Sequence, residues 1–392
     1  MSIKIKVLLT KPFNEIELKK GVFMKCIVLG SGRQGIACGE FLFKKNVDVT
    51  FVDLNSDNLN YLSQLGFKTI KDIIDSPEKV KKLSEGFDLI ISALPAKLGK
   101  IAQVGAIISQ KNIVDVSYSE DDPFELDQEA KKNNITIVPD AGVAPGLSNL
   151  FAGRIYKSFD RCEKIKILVG GMPEKNLPPL GYTVTWSPED LISEYERVVK
   201  IRKNGKLKIV EPLTGKEDVK FKGFDKLEGF YTDGLRTLLK TLKDVKNLEE
   251  KTLRYKGHIE KIKLLKDLGY FKEELNGKKP RETTIEILKS IKYPDIKDVL
   301  LLRVVGEGKI KNKKKILTYE VVDRGDDKHS AMERTTGFSL GIFSYIVLTN
   351  KLKEGVIPPE IIGFDQNNFK QIISYLKEMN IKVKFKDENI GK

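Results

Sequence analysis

Three glycines at 30, 32 and 35 stand in "GSGRQG", directly after the apolar run "CIVLG". Lacking a Cβ, each can do what other residues cannot. Gly30 can make a tight turn, Gly32 can let the backbone approach a pyrophosphate, and Gly35 can let a helix pack closely on a strand. The segment that follows puts Cys38, Phe41 and Leu42 on one helical face, so the glycines sit where a strand turns into a helix. Free N–H groups and the positive end of that helix dipole would meet phosphate there. Arg33 and Gln34 fill the variable positions of the motif. A second run, "VTFVD", ends on Asp53, eighteen residues past Gly35, where a carboxylate can accept hydrogen bonds from an adenosine ribose. Leu54 and Asn55 follow, with no arginine to receive a 2′-phosphate. The expected cofactor is NAD and not NADP.

The elements that must hold these residues repeat from 24 to about 140. The runs "CIVLG", "VTFVD", "LIISAL", "IVDVS" and "ITIVPD" alternate with helical patterns such as "DNLNYLSQLG" and "EKVKKLSEG". Such alternation implies parallel strands joined by right-handed crossovers, with ligand at the C-terminal strand ends. Those ends carry the glycine turn, Asp53, the trio Ala93, Leu94 and Pro95, then Asp115 and Tyr118, then "DAGVAPGLSN" with Asp140 and Asn149. The fold expected is α/β: a Rossmann-type parallel-sheet domain over 24–148, preceded by an extension over 1–23. After 150, runs such as "KIKILVGGMP" and "LLRVVGEGKIKNKKKILTYEVVD" read as a mixed or antiparallel sheet with helices among them. This gives an inserted α+β substrate and dimerisation domain over 149–330. "GFSLGIFSYIVL" is too apolar to be left exposed, so 331–392 is expected to return to the first domain.

Bulk composition narrows the partners. The 392 residues are 40% hydrophobic and 32% charged, enough for two or three domains. The net charge of +14 comes from basic residues spread along the chain and interleaved with acids, which reads as a lysine-rich surface without a nucleic-acid motif. The densest cluster, "KIKNKKK" at 309–315, looks like a hairpin turn. No apolar run approaches membrane-spanning length, and the N-terminus lacks a signal-peptide core. Three scattered cysteines, Cys26, Cys38 and Cys162, argue against a disulfide framework and for the cytoplasm. Two histidines with no Cys/His cluster give no support for a metal site. The partners expected are a small amino-acid substrate and further copies of the chain, as a homodimer or larger oligomer.

Together "GSGRQG", "SALP", "VDVSY" and "PDAGVAPGLSN" resemble the saccharopine dehydrogenase-like reductases, and within them lysine 6-dehydrogenases. "PLGYTVTWSPEDLISEY", "LRYKGHIEKIKLLKDLG" and "MERTTGFSLGIFSYIV" are similar to later blocks of that group. Lys256 and the glycine-poor "FYTDGLRTLL" depart from its pattern. The resemblance implies oxidation of the lysine ε-amine by NAD to an aldehyde and ammonia, the aldehyde cyclising. Relatives form or cleave saccharopine, or make carboxynorspermidine, by the same hydride chemistry. A nucleotide-sensing protein without turnover is a reading of another class. For the enzyme, Asp140 or Tyr118 would orient the amine or pass its proton. Arg254 or Arg236 would hold a carboxylate, and His258 would share the face of Arg254 if both lie on one helical turn. Trp186 either anchors the core or walls the substrate, and Asn149 either caps a helix or touches the ligand.

Overall fold

The computed structural model describes residues 24–390, apart from Thr185, Pro294, Asp295 and the side chain of Asp225. The extension over 1–23 lies outside the described residues. The chain forms two compact units. The first comprises residues 24–150, Asp327–His329 and Glu333–Ile381; the second comprises Phe151–Asp326, Ser330–Met332 and the segment from Lys382 onward.

In the first unit strands and helices alternate: β1 (Lys25–Leu29), α1 (Arg33–Lys44), β2 (Asp48–Asp53), α2 (Ser56–Gln64), β3 (Lys68–Lys71), α3 (Pro77–Leu83), β4 (Leu89–Ser92), α4 (Ala96–Ser109), β5 (Asn112–Asp115), α5 (Asp127–Lys132) and β6 (Thr136–Val138). Helix α6 (Leu147–Ser158) then leads into the second unit. There the elements are β7 (Arg161–Pro173), α7 (Pro188–Glu194), β8 (Val199–Lys203), β9 (Lys206–Val210), β10 (Glu217–Phe221), β11 (Phe224–Tyr231), α8 (Leu238–Thr241), β12 (Asn247–Tyr255), α9 (His258–Asp267), α10 (Pro280–Ser290), β13 (Asp298–Ile310) and β14 (Lys313–Arg324). The chain returns through α11 (Ala331–Thr349), β15 (Gly355–Val356), α12 (Pro359–Phe364) and α13 (Gln366–Glu378), and ends on β16 (Val383–Asn389).

The first unit's sheet runs β15-β6-β5-β4-β1-β2-β3, and every pairing is parallel. The order of its first six strands is that of a dinucleotide-binding doubly wound sheet, and β15 adds a seventh. Residues 26–29 of β1 are all buried, as expected of a central strand covered on both faces. Helix α11 packs on α1 through two glycines. A Cβ at Gly337 would lie 2.7 Å from the Gln34 carbonyl oxygen, and one at Gly341 would lie 3.0 Å from that of Cys38. The apolar stretch therefore holds the helix that follows the glycine turn, with Leu340, Ile342, Phe343 and Ile346 fully buried.

The second unit's sheet runs β10-β11-β12-β7-β13-β14-β16, with β8 pairing to β12 and β9 to β8. The β12–β7 pairing is parallel and its other ladders are antiparallel. The basic cluster at 309–315 does turn a hairpin. Ile310 pairs with Lys313, and the two turn residues Lys311 and Asn312 both have positive φ, as a type I′ turn requires. One boundary differs from the sequence reading. The returning segment stays with the first unit only to Ile381, and β16 joins the second unit's sheet beside β14.

Candidate active site

In the first unit, the turn after β1 is built around groups that a side chain would block. Gly30 has φ +100°, and a Cβ there would lie 2.5 Å from the Ala93 carbonyl oxygen. A Cβ at Gly35 would lie 2.2 Å from the Gly30 carbonyl oxygen, so that glycine packs on the turn itself. Gly32 caps α1, and a Cβ there would meet nothing within 4 Å. The space over the helix N-terminus is therefore open, as a phosphate needs. Beside it, the Ser31 hydroxyl is buried without a partner. These features fit a dinucleotide.

Asp53 stands at the end of β2 and braces the same turn. Its Oδ2 accepts the Ser31 N–H at 2.5 Å and its Oδ1 the Asn55 N–H at 2.8 Å. A carboxylate has lone pairs beyond these two, and they remain for ribose hydroxyls. Arg33, the first residue of α1, is 56% exposed and pairs with Glu333 of α11 at 2.9 Å. Gln34 lies under α11, its backbone against Gly337. Ala93, Leu94 and Pro95 form the loop from β4 to α4, where Pro95 is the helix cap.

Asp115 is at a strand end, and its side chain is engaged inside the unit. It is fully buried, and it accepts hydrogen bonds from the Ser117 N–H at 2.9 Å, the Ser117 hydroxyl, and the Gln103 amide at 2.8 Å. Burial raises its pKa against those hydrogen bonds. It braces the loop that carries half-buried Tyr118. Asp140 is buried with φ +55°, a left-handed conformation that aspartate tolerates better than most residues. It leads into the turn from Gly142 to Gly146, where a Cβ at Gly146 would lie 1.9 Å from the Gly142 carbonyl oxygen. Asn149 is fully buried. Its Oδ1 accepts the Ser148 hydroxyl at 2.9 Å and the Gly146 N–H at 3.4 Å, and its amide donates to Glu360 of α12 at 3.4 Å. These contacts tie the turn to the unit's interior.

In the second unit, alternate residues of β12 place Glu250, Thr252 and Arg254 on one face. Glu194, the last residue of α7, accepts the Thr252 hydroxyl at 2.6 Å and lies 3.5 Å from an Arg254 Nη. Arg254 is 3% exposed; its Nη1 donates to the Leu253 carbonyl at 2.9 Å and its guanidinium lies 4.4 Å from the Tyr182 ring centre. Its Nε–H is buried with no partner. Trp186 is half-buried against the core and donates its indole N–H to the Tyr182 hydroxyl at 3.1 Å.

Arg254 and His258 do not share a helical turn. Arg254 lies in β12 and His258 opens α9, after Gly257 with φ +94° breaks the chain direction. His258 is 1% exposed and engaged at both nitrogens: Nδ1 lies 3.0 Å from the Leu180 carbonyl oxygen and Nε2 2.9 Å from the Tyr195 hydroxyl. A carbonyl only accepts, so Nδ1 carries the proton and Nε2 accepts from Tyr195. Burial, with Arg254 beside it, lowers the His258 pKa to about 3. The imidazole is neutral at physiological pH and is not placed to shuttle a proton. Arg236 is half-buried in a left-handed turn two residues beyond Gly234. At Gly234 a Cβ would fall 1.9 Å from the Glu250 carboxylate. Glu250 is itself buried, with Oε2 unpartnered, and burial beside Asp233 and Glu194 raises its pKa well above the ordinary range. Arg197 pairs with Asp233 at 2.5 Å.

The sequence reading missed Glu194, Tyr195, Tyr182 and Glu250. The alternation in "EEKTLRY" was a signal for Glu250 and Thr252 beside Arg254; nothing local marked the two tyrosines. Among the described residues no helix is long and apolar enough to cross a membrane, and no group of three or more His, Cys, Asp or Glu side chains could hold a metal ion.

Residues 142–381 match the family model described as the saccharopine dehydrogenase C-terminal domain. The chain is 30% identical over 200 residues to the NADP(+), L-glutamate-forming saccharopine dehydrogenase of Pyricularia oryzae, covering 48% of this chain and 44% of that protein. It is 32% identical over 195 residues to the mitochondrial alpha-aminoadipic semialdehyde synthase of Rattus norvegicus, covering 47% of this chain and 21% of that protein. The match thus spans less than half the length of either relative. The fold is that of the L-Glu-forming saccharopine dehydrogenase of Saccharomyces cerevisiae in its apo form. That structure superposes with a TM-score of 0.76 at 19% identity, covering 93% of this chain and 99% of the other.

Proposed function

The chain belongs to the saccharopine dehydrogenase family, and from that premise we propose that it oxidises the ε-amine of lysine with NAD, releasing ammonia. The observation that carries the substrate reading is Arg254, a buried guanidinium whose Nε–H has no partner beside Glu194. A buried unsatisfied N–H costs about 1–3 kcal/mol, which a substrate carboxylate at that atom would recover. The sequence blocks similar to lysine 6-dehydrogenases favour a small amino acid over saccharopine.

In this reading the first unit holds the dinucleotide through the glycine turn and Asp53. When bound, the nicotinamide supplies the hydride acceptor. The reactive amine must be neutral, because an ammonium has no lone pair to stabilise the forming iminium. Asp140 or Tyr118, at the strand ends of the first unit, takes the amine proton. Water then adds to the iminium carbon and ammonia leaves. Asp53 favours NAD, since its carboxylate would repel a 2′-phosphate; the relatives named above act with NADP(+) in one case.

The test is a panel of lysine, saccharopine and other amines with NAD and with NADP, following reduced cofactor beside released ammonia. Lysine with NAD should yield both in equal amounts, with no need for 2-oxoglutarate or glutamate. The rate should rise toward alkaline pH, where more amine is neutral. Turnover of saccharopine but not lysine replaces the proposal with the saccharopine reaction. Tight NAD binding with no amine oxidised replaces it with a nucleotide sensor.

A further inference from the structure

We propose that His258 is a positioning residue: it holds the Tyr195 hydroxyl so that Tyr195 and Tyr182 fix the Arg254 guanidinium for a substrate carboxylate. The proposal rests on the reading that Arg254 receives that carboxylate.

The hydrogen-bond directions carry the argument. The Leu180 carbonyl can only accept, so His258 donates from Nδ1 and presents a bare Nε2. Tyr195 must then donate its one hydroxyl proton to Nε2, at 2.9 Å. Its oxygen lone pairs are left for donors; Tyr195 directly follows Glu194, the residue that pairs with Arg254, and the guanidinium interacts with the Tyr195 oxygen. The guanidinium also lies 4.4 Å from the Tyr182 ring centre, and the Tyr182 hydroxyl is itself engaged by Trp186. Rings of Tyr182 and Tyr195 both lie against the imidazole, with centroids 5.6 and 5.9 Å away. The two tyrosines therefore flank one guanidinium, backed by His258 and Trp186, and Glu194 at 3.5 Å leaves its ion pair loose. Such a site fixes the plane of the fork and leaves its Nε–H for a carboxylate.

The same arrangement argues against proton transfer by His258. Both nitrogens are occupied, and the ring is 1% exposed. The charged groups around it are Arg254, Lys261 and Glu260; burial and the two cations keep the ring neutral.

The experiment uses the full-length protein and four variants: His258→Phe, His258→Gln, Tyr195→Phe and Arg254→Ala. Equilibrium lysine binding, kcat and KM are measured from pH 6 to 9, with NAD binding and thermal unfolding as folding controls. His258→Phe and Tyr195→Phe should each raise KM and weaken lysine binding roughly tenfold, with kcat within about twofold of the parent. The Gln amide oxygen can accept from Tyr195, so His258→Gln should recover most of the loss. The pH profile of kcat should keep its shape in every variant. A fall in kcat with unchanged KM, or loss of a pH limb in His258→Phe, overturns the proposal and makes His258 a proton carrier. Equal damage in His258→Gln and His258→Phe also overturns it. If Arg254→Ala binds lysine normally, the carboxylate reading has failed. If Arg254→Ala loses lysine while His258→Phe and Tyr195→Phe do not, the positioning proposal alone has failed.

Discussion

Arg33 and Glu333 meet at 2.9 Å, joining the first residue of α1 to α11. Arg33 is the side chain of the glycine motif that carries positive charge to the helix N-terminus, and Glu333 cancels it. The arginine is more than half exposed, so the pair is weak and screened by salt. Glu333→Gln should free the cation for an anionic ligand. NADP gains more than NAD, because it carries the additional phosphate. Dissociation constants measured for both cofactors should show discrimination against NADP falling about two- to fivefold at low salt, and less at high salt. Equal changes for both cofactors would count against this account.

Asp53 braces the glycine turn and, under the proposed function, selects the cofactor; substitution separates the two roles. Its oxygens hold the Ser31 and Asn55 N–H groups, and under the proposed function its charge would meet the ribose. Asp53→Asn keeps one carbonyl acceptor and removes the charge. It should narrow the preference for NAD, but its amide NH2 then faces one of the two N–H groups, so it should lower stability too, by less than the loss of both acceptors. Asp53→Ala leaves both N–H groups without their acceptor and should also lower stability, by about 1–2 kcal/mol. Cofactor titration beside chemical denaturation distinguishes the two. Unchanged cofactor preference in both variants would remove Asp53 from the recognition of the ribose.

What was legible in the sequence was local. The glycine turn, the parallel alternation and the hairpin at Lys311 and Asn312 are all set by residues adjacent in the chain. The second unit's polar row was legible only in part. Arg254 and His258 are four residues apart, and a helical period would put them on one face. Gly257 ends the strand between them, and spacing alone does not distinguish a strand end from a helix start. Tyr182 and Tyr195 reach Arg254 from segments about sixty to seventy residues away, which no periodicity encodes. β16 escaped for a similar reason. "VKFKDEN" is almost wholly exposed, and its place is fixed by pairing with β14.

Gly337 gives a test of the α11–α1 contact. A Cβ there would lie 2.6 Å from the Ala37 Cβ and 2.7 Å from the Gln34 carbonyl oxygen. Backbone cannot yield as a flexible side chain does, so a larger residue must push α11 away from the helix of the glycine turn. Gly337→Val should destabilise the protein by about 1–3 kcal/mol and weaken dinucleotide binding as well. Thermal unfolding with and without cofactor measures both. A variant of normal stability would mean that the two helices separate at little cost.

Glu250 supplies a prediction whose sign depends on pH. Its carboxyl is buried, and burial together with Asp233 and Glu194 raises its pKa well above that of an exposed glutamate. In the unfolded chain it ionises near pH 4.3. Above that pH the unfolded state loses a proton that the folded state keeps. Stability must therefore fall as pH rises from about 4.3 toward the folded-state value. The penalty is absent below that window, where both states are protonated. Glu250→Gln keeps the shape of a neutral carboxyl and removes the titration. Its stability relative to the parent should be nearly constant below about pH 4 and should rise through the window above it. Unfolding curves for the two proteins from pH 4 to 9 give the difference directly. A flat difference across that range would mean that Glu250 ionises alike in the folded and unfolded chains.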